Sequence, residues 1–215
     1  MKKALLVTGI VVIFTACQQG PKKSSFNDPL VLSGEYDELK IAFNPVDNQV
    51  TGYFESSTGE DAASGSPQFS CIFYIEGKLT DKQAKIKSFS PSDNFPADNN
   101  DLIAGTLTPT SNNKLSLKLD EEHGGCTMVQ HFKNEPVTFV ISKKQNWIAI
   151  KYVTATKAFF YADARLETKR KSYLVKGNII YIDEEKNNLV HCTFTDVNNH
   201  STQGWIRSED INRLE

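Results

Sequence analysis

The stretch "DEEHGGC", residues 120–126, gathers three carboxylates, a histidine and a cysteine, and His131 follows shortly after. These are the residue types of a zinc site, where three or four ligands converge on the ion. Only His123, Cys126 and His131 are ligand candidates, and Cys126 has a competing use in a disulfide, so no metal is expected. The Gly-Gly pair reads more simply as a turn before a strand. His191 and Cys192 are neighbours and suggest a thiol nucleophile with its base. On a strand, however, adjacent side chains point to opposite faces. Val190, Cys192 and Phe194 then share one face, and Cys192 becomes a buried core thiol. "SPSDNFPADNNDL", residues 90–102, is rich in Asp and Asn but lacks the glycine and terminal glutamate of a calcium loop, so it reads as a surface loop. No phosphate loop, glycine-flanked serine or zinc-protease helix is present. The chain is therefore read as a non-enzyme with no catalytic residue and no cofactor.

The elements that carry these residues are short β-type runs. "LVLSGEY", "LKIAFNP", "QVTGYFES", "FSCIFYIEGKL", "AKIKSFS", "LIAGTLTP", "KLSLKLD", "TMVQHF" and "VTFVISK" alternate apolar and polar residues or are β-branched and aromatic, and turn formers bound them. In "KLSLKLD", Leu115, Leu117 and Leu119 share one face while Ser116 and Lys118 take the other. No amphipathic helix competes. The expectation is an all-β chain, with an N-terminal antiparallel barrel or sandwich over residues 29–145. "SKKQN" is a polar break, and "WIAIKYV", "AFFYA", "YLVKGNIIYID", "LVHCTFT" and "GWIRSED" follow it as a second domain over residues 146–215, a size that can fold alone. Thirteen Phe, seven Tyr and two Trp supply the core.

At the N-terminus Lys2 and Lys3 precede an apolar stretch, Ala4 to Phe14, that falls short of the roughly 20 residues of a spanning helix and suits a secretory leader. Phe14-Thr15-Ala16-Cys17 resembles the lipobox of bacterial lipoproteins, with phenylalanine where leucine is usual. The resemblance implies a signal peptide over residues 1–16, cleavage after the small Ala16, and a diacylglyceryl or palmitate-type anchor on Cys17. Two or three acyl chains hold a protein stably on a bilayer, because each buried methylene contributes about 0.8 kcal/mol. Gln18 rather than aspartate implies outer-membrane sorting in the cell envelope. Residues 17–28 read as a flexible tether. Outside the cytoplasm thiols tend to pair, so Cys71 and Cys126, in the same half of the chain, are expected to form a disulfide that leaves Cys192 over. The alternative is a pair of buried reduced cysteines.

The last seventy residues resemble the bacterial SH3-like domain through "AFFYA", "YLVKGNIIYI" around Gly177-Asn178, "LVHCTF" and "GWIRSEDI". That resemblance implies a small, five-stranded, strongly bent SH3-like barrel and a role in cell-wall or peptide recognition. Gly177-Asn178 independently reads as a two-residue hairpin turn. Leu189 and Val190 stand where eukaryotic relatives open the corresponding strand with a groove tryptophan, which argues against proline-rich ligands. Tyr161, Tyr173 and Trp205 are the candidate ligand-binding residues, with core or rim packing as the competing reading. Lys169-Arg170-Lys171 is placed in a long loop at the groove's edge, where it meets carboxylates or is merely solvated.

The formal net charge of −2 falls to about −4 once Lys2 and Lys3 are lost with the leader. Neither nucleic acid nor an anionic surface is implied as a partner. The expected protein is a lipid-anchored envelope component binding peptidoglycan or an envelope protein. Two rivals stand beside it. Disulfide-bonded β-barrel lipoproteins that inhibit lysozyme are similar in size to the N-terminal half, and "LSGEY" resembles their loop motif with altered spacing. An envelope hydrolase with an SH3-like targeting module is the other, although paired carboxylates leave no linear trace to name.

Overall fold

The computed structural model describes residues 33–80, 82–90, 102–111 and 113–212. The leader, Cys17, the tether and most of "SPSDNFPADNNDL" lie outside the described residues. Within them the chain is all-β, apart from single 3-10 turns at Cys126–Met128 and Ser208–Asp210.

The first sheet is a meander of β1 (Gly34–Tyr36), β2 (Leu39–Asn44), β3 (Gln49–Glu60), β4 (Pro67–Thr80), β5 (Gln83–Phe89), β6 (Ile103–Ser111), β7 (Lys114–Leu119) and β8 (Val137–Val140), with β9 (Lys143–Lys144) added beside β1. Local turn chemistry sets the hairpins. Between β2 and β3 the Asn44 side chain accepts from Val46 N at 3.0 Å, and Asp47 accepts from Gln49 N at 3.0 Å. Between β3 and β4 the Asp61 carboxylate takes Ser64 N at 2.8 Å and Ala63 N at 3.0 Å, which holds its pKa below the usual carboxylate range. β8 and β9 are two halves of one bent segment: Ile141 N donates to Asn113 O next to β7, and Ser142 N donates to Glu35 O on β1. That segment bridges the sheet's two ends and curls it into a half-barrel around a single core. Tyr36, Leu39, Ile41, Val50, Phe54, Phe73, Ile86, Leu107, Leu115, Leu117, Leu119 and Phe139 fill the interior. The three leucines of "KLSLKLD" point inward, as their alternation requires.

Cys71 and Cys126 are joined as a disulfide, closing a loop with a sequence separation of 55. "TMVQHF", expected as a strand, is instead a 3-10 turn and a loop. Glu122 accounts for the difference, because its carboxylate accepts from Lys133 N at 3.1 Å and Phe132 N at 3.3 Å, taking up donors a ladder would use. Gly125 enters this turn at φ 84°, a left-handed conformation, and a Cβ there would press on Ser70 O beside Cys71.

The second sheet comprises β10 (Ala149–Tyr152), β11 (Ala158–Tyr161), β12 (Lys169–Leu174), β13 (Ile179–Lys186), β14 (Leu189–Thr195) and β15 (Ser201–Arg207), in the order β10-β13-β14-β15-β11-β12. Its core is built from Val153, Phe160, Leu174, Ile180, Ile182, Val190, Cys192 and Ile206. Six strands stand where five were expected, and Gly177-Asn178 does not close a hairpin. β12 pairs with β11 while β13 pairs with β10 and β14, so the turn redirects the chain between non-neighbours. Lys169-Arg170-Lys171 is not loop either; it opens β12, an edge strand of this sheet. Lysine on an open edge discourages strand addition by other chains.

The two sheets share an aromatic seam. Ala42, Tyr53, Tyr74 and Phe89 of the first pack with Trp147, Ile150 and Tyr152 of the second. Tyr74 and Tyr152 rings lie 4.6 Å apart. Ile150 N donates to the buried Thr51 hydroxyl at 2.7 Å, and the Ser33 hydroxyl donates to Trp147 O at 2.6 Å. β3 is thus buried on both faces, Val50 and Phe54 toward the half-barrel and Thr51 and Tyr53 toward the seam. Burial contributes roughly 2 kcal/mol for each large apolar side chain so covered.

Candidate functional site

Strand alternation in the second sheet sends Ile180, Ile182, Val190, Cys192 and Ile206 into the core. The residues between them therefore face outward. The ladder aligns Tyr161 with Trp205 and Trp205 with His191, each as direct partners on neighbouring strands. A register shift in β13 between Ile182 and Glu184 brings Asp183 beside this row. The Asp183 carboxylate accepts from His191 Nδ1 at 2.7 Å, and the His191 ring lies 5.4 Å from that of Trp205. Tyr161, Trp205, His191 and Asp183 are all partly exposed, so the row is an open aromatic strip ended by an oriented imidazole. Beyond Tyr161, the Arg207 guanidinium pairs with Glu209 at 3.0 Å and also contacts the Tyr161 hydroxyl, which raises its basicity.

Tyr173 is placed on the same face but outside the row. It pairs with Phe159, ring to ring at 5.6 Å. Lys157 Nζ stands 4.6 Å over Tyr173, and Lys169 Nζ stands 3.5 Å over Phe159. These ammonium groups already occupy the ring faces. Of the three candidate ligand-binding residues, the fold brings Tyr161 and Trp205 together and leaves Tyr173 on a flank capped by lysine. Leu189 and Val190 are buried and do not wall a groove.

Next to the aromatic strip runs a second outward row, Tyr181, Thr193 and Gln203, again direct partners across β13, β14 and β15. Over this row the first sheet raises a wall. Glu35 on β1 accepts from Gln145 Nε2 at 2.8 Å and pairs with Lys143 at 3.6 Å, while Trp147 stacks on Tyr181 at 4.4 Å. Burial, aided by the nearby carboxylates of Glu35 and Glu55, drives the Tyr181 hydroxyl far above its usual range and keeps it protonated. The half-open cleft measures about 510 Å3. The wall was not identifiable from sequence as part of a site, since Glu35 and Gln145 meet from far apart in the chain. For His191 the one available signal was the alternation that separates it from Cys192.

Cys192 and His191 do not form a nucleophile–base pair. Cys192 is fully buried on the opposite face from His191, and burial pushes its thiol up to about 12. The "DEEHGGC" residues serve structure. His123 is buried, stacked on Phe73 at 4.8 Å, with Nε2 2.9 Å from the Ser88 hydroxyl and Nδ1 3.2 Å from that of Ser90. Desolvation lowers its basicity to about 4 against a weaker opposing pull from Glu122, so the ring is neutral. His131 is exposed and meets Glu122 at 3.4 Å. Among the described residues no group of three or more His, Cys, Asp or Glu is arranged to hold a metal.

No known protein family, curated protein or solved structure matches the chain.

Proposed function

We propose that this chain is a non-catalytic, lipid-anchored protein of the bacterial cell envelope whose SH3-like second module holds peptidoglycan or an envelope protein on its outer face. The observation that carries this reading is the Tyr161–Trp205–His191 strip, a partly exposed aromatic surface on paired strands. Aromatic side chains lose little conformational entropy on binding and supply large contact areas, which makes such a strip a natural anchor. The lipobox-like residues ending at Cys17 supply the membrane attachment in this reading, and the Cys71–Cys126 disulfide suits the oxidising compartment it entails. The inhibitor alternative is weakened because Gly34 to Tyr36 of the "LSGEY" stretch form β1: Gly34 and Tyr36 are buried, and the Ser33 hydroxyl before them is bound to Phe43 N and Trp147 O.

Two measurements test it. Fatty-acid labelling in a bacterial host is expected for the native chain and lost in Cys17→Ser; an unlabelled native chain refutes the anchor. Retention of the full chain on purified sacculi is expected to drop by at least roughly tenfold in Trp205→Ala, the effect of truncating one central aromatic anchor. Equal retention of both proteins refutes the binding role of the strip.

A further inference from the structure

We propose that the cleft between the two sheets is a saccharide site that takes a short neutral oligosaccharide, an assignment that rests on the outer face of the second sheet being the binding face. The cleft's floor is the Tyr181–Thr193–Gln203 row and its wall carries Glu35, Gln145 and Trp147. At about 510 Å3 it is a small-ligand space, within the roughly 300–1,000 Å3 of pockets that enclose one, and too small for a folded partner.

The lining selects among ligand classes. Its formal charges cancel, Glu35 and Asp183 against Lys40 and Lys143, and Glu35 and Asp183 already have cationic or ring partners at 3.6 Å and 2.7 Å. An ion of either sign finds no excess of opposite charge. The floor offers an extended peptide no free ladder, because β13, β14 and β15 are hydrogen-bonded on both sides. A lipid tail needs an apolar slot, and this lining is mainly amide, hydroxyl and carboxylate. Sugar hydroxyls both donate and accept, and Gln145, Gln203 and Thr193 offer both functions in the same groups. The Tyr181 ring is part-exposed in the floor and fixed by its stack on Trp147, so it meets a sugar only with what that stack leaves uncovered.

The test is calorimetric titration of the full chain in detergent with the trisaccharides of chitin, cellulose and starch, in parallel with Gln203→Ala and Thr193→Val. Thr193→Val keeps the side-chain shape and removes only the hydroxyl; thermal melting checks that both variants fold. Saturable heat with at least one trisaccharide is expected, weakened roughly tenfold by either substitution, the loss of one or two ligand hydrogen bonds. No saturable heat with any of the three, or unchanged affinity in two natively melting variants, overturns the proposal. Sacculus retention separates it from the reading on which it rests. Trp205-dependent retention with no trisaccharide binding removes the cleft and leaves the strip. Trisaccharide binding with retention indifferent to Trp205→Ala keeps the cleft as a site and removes the strip.

Discussion

His123 makes stability depend on acidity in a calculable way. In the folded protein it takes no proton until about pH 4, because its ring is buried against Phe73 and desolvated. Once unfolded it regains the ordinary value of 6.5. Between those values the unfolded chain holds a proton that the native chain does not, so the native state loses stability as pH falls from about 6.5 toward 4 and keeps it above. From about pH 7 to about pH 4.5 the loss from this group alone is roughly 2–3 kcal/mol, at about 1.4 kcal/mol for each pH unit of the window. For a chain of this size that corresponds to about 5–10 °C in melting temperature. The control is His123→Phe, which keeps the stack on Phe73 and cannot be protonated. The Ser88 hydroxyl retains its bond to Ile103 O at 3.2 Å in that variant. Urea unfolding at both pH values is expected to give the native sequence a larger acid-induced loss than the variant by that margin. Asp61 and Asp196, whose carboxyls are held below the usual range by backbone donors, also weaken the fold in acid, but equally in both proteins. Equal acid losses in the two refute the assignment of a neutral, buried imidazole.

Three further outcomes follow from the same structure. Replacing Cys71 and Cys126 together with serine removes a cross-link of sequence separation 55 and is expected to lower the unfolding free energy by about 4 kcal/mol on the chain-entropy account, measured by urea titration. Thr51→Val leaves the buried Ile150 N–H without its acceptor and is expected to cost about 1–3 kcal/mol; a change below the error of the melt rules out that hydrogen bond as a seam contact. In a Cys17→Ser chain, Ellman's reagent is expected to find no reactive thiol in the native protein and one after denaturation, namely Cys192; rapid native reaction contradicts its burial.

The half-barrel was legible because its strands alternate: "KLSLKLD" is buried at each leucine, and "AKIKSFS" at Ala84, Ile86 and Ser88. The position of Cys71 and Cys126 in one half of the chain pointed to the disulfide, and alternation placed His191 and Cys192 on opposite faces. "TMVQHF" misled because its apolar residues are there for another reason. Val129 and Phe132 pack on the half-barrel core from a loop, and a packed loop has the composition of a strand without its ladder. The hairpin inferred at Gly177-Asn178 failed because a turn sequence fixes a local bend and leaves open which strand the chain meets next. The cleft and strip were illegible for the same reason. Tyr161 meets Trp205, and Glu35 meets Gln145, only after the whole topology is in place. The seam was hidden in "QVTGYF", where two buried faces of one strand erase the polar half of the pattern.

That doubly covered strand ties the history of the two halves together. A drift at Tyr53 or Tyr74 is felt across the junction by Ile150 and Tyr152, so neither half is free to vary without the other answering. Recombination that transplanted the C-terminal sheet alone would carry off an apolar flank with nothing to cover it, and would strand its counterpart in the same condition. The unit that can be inherited, exchanged or grafted is consequently the pair.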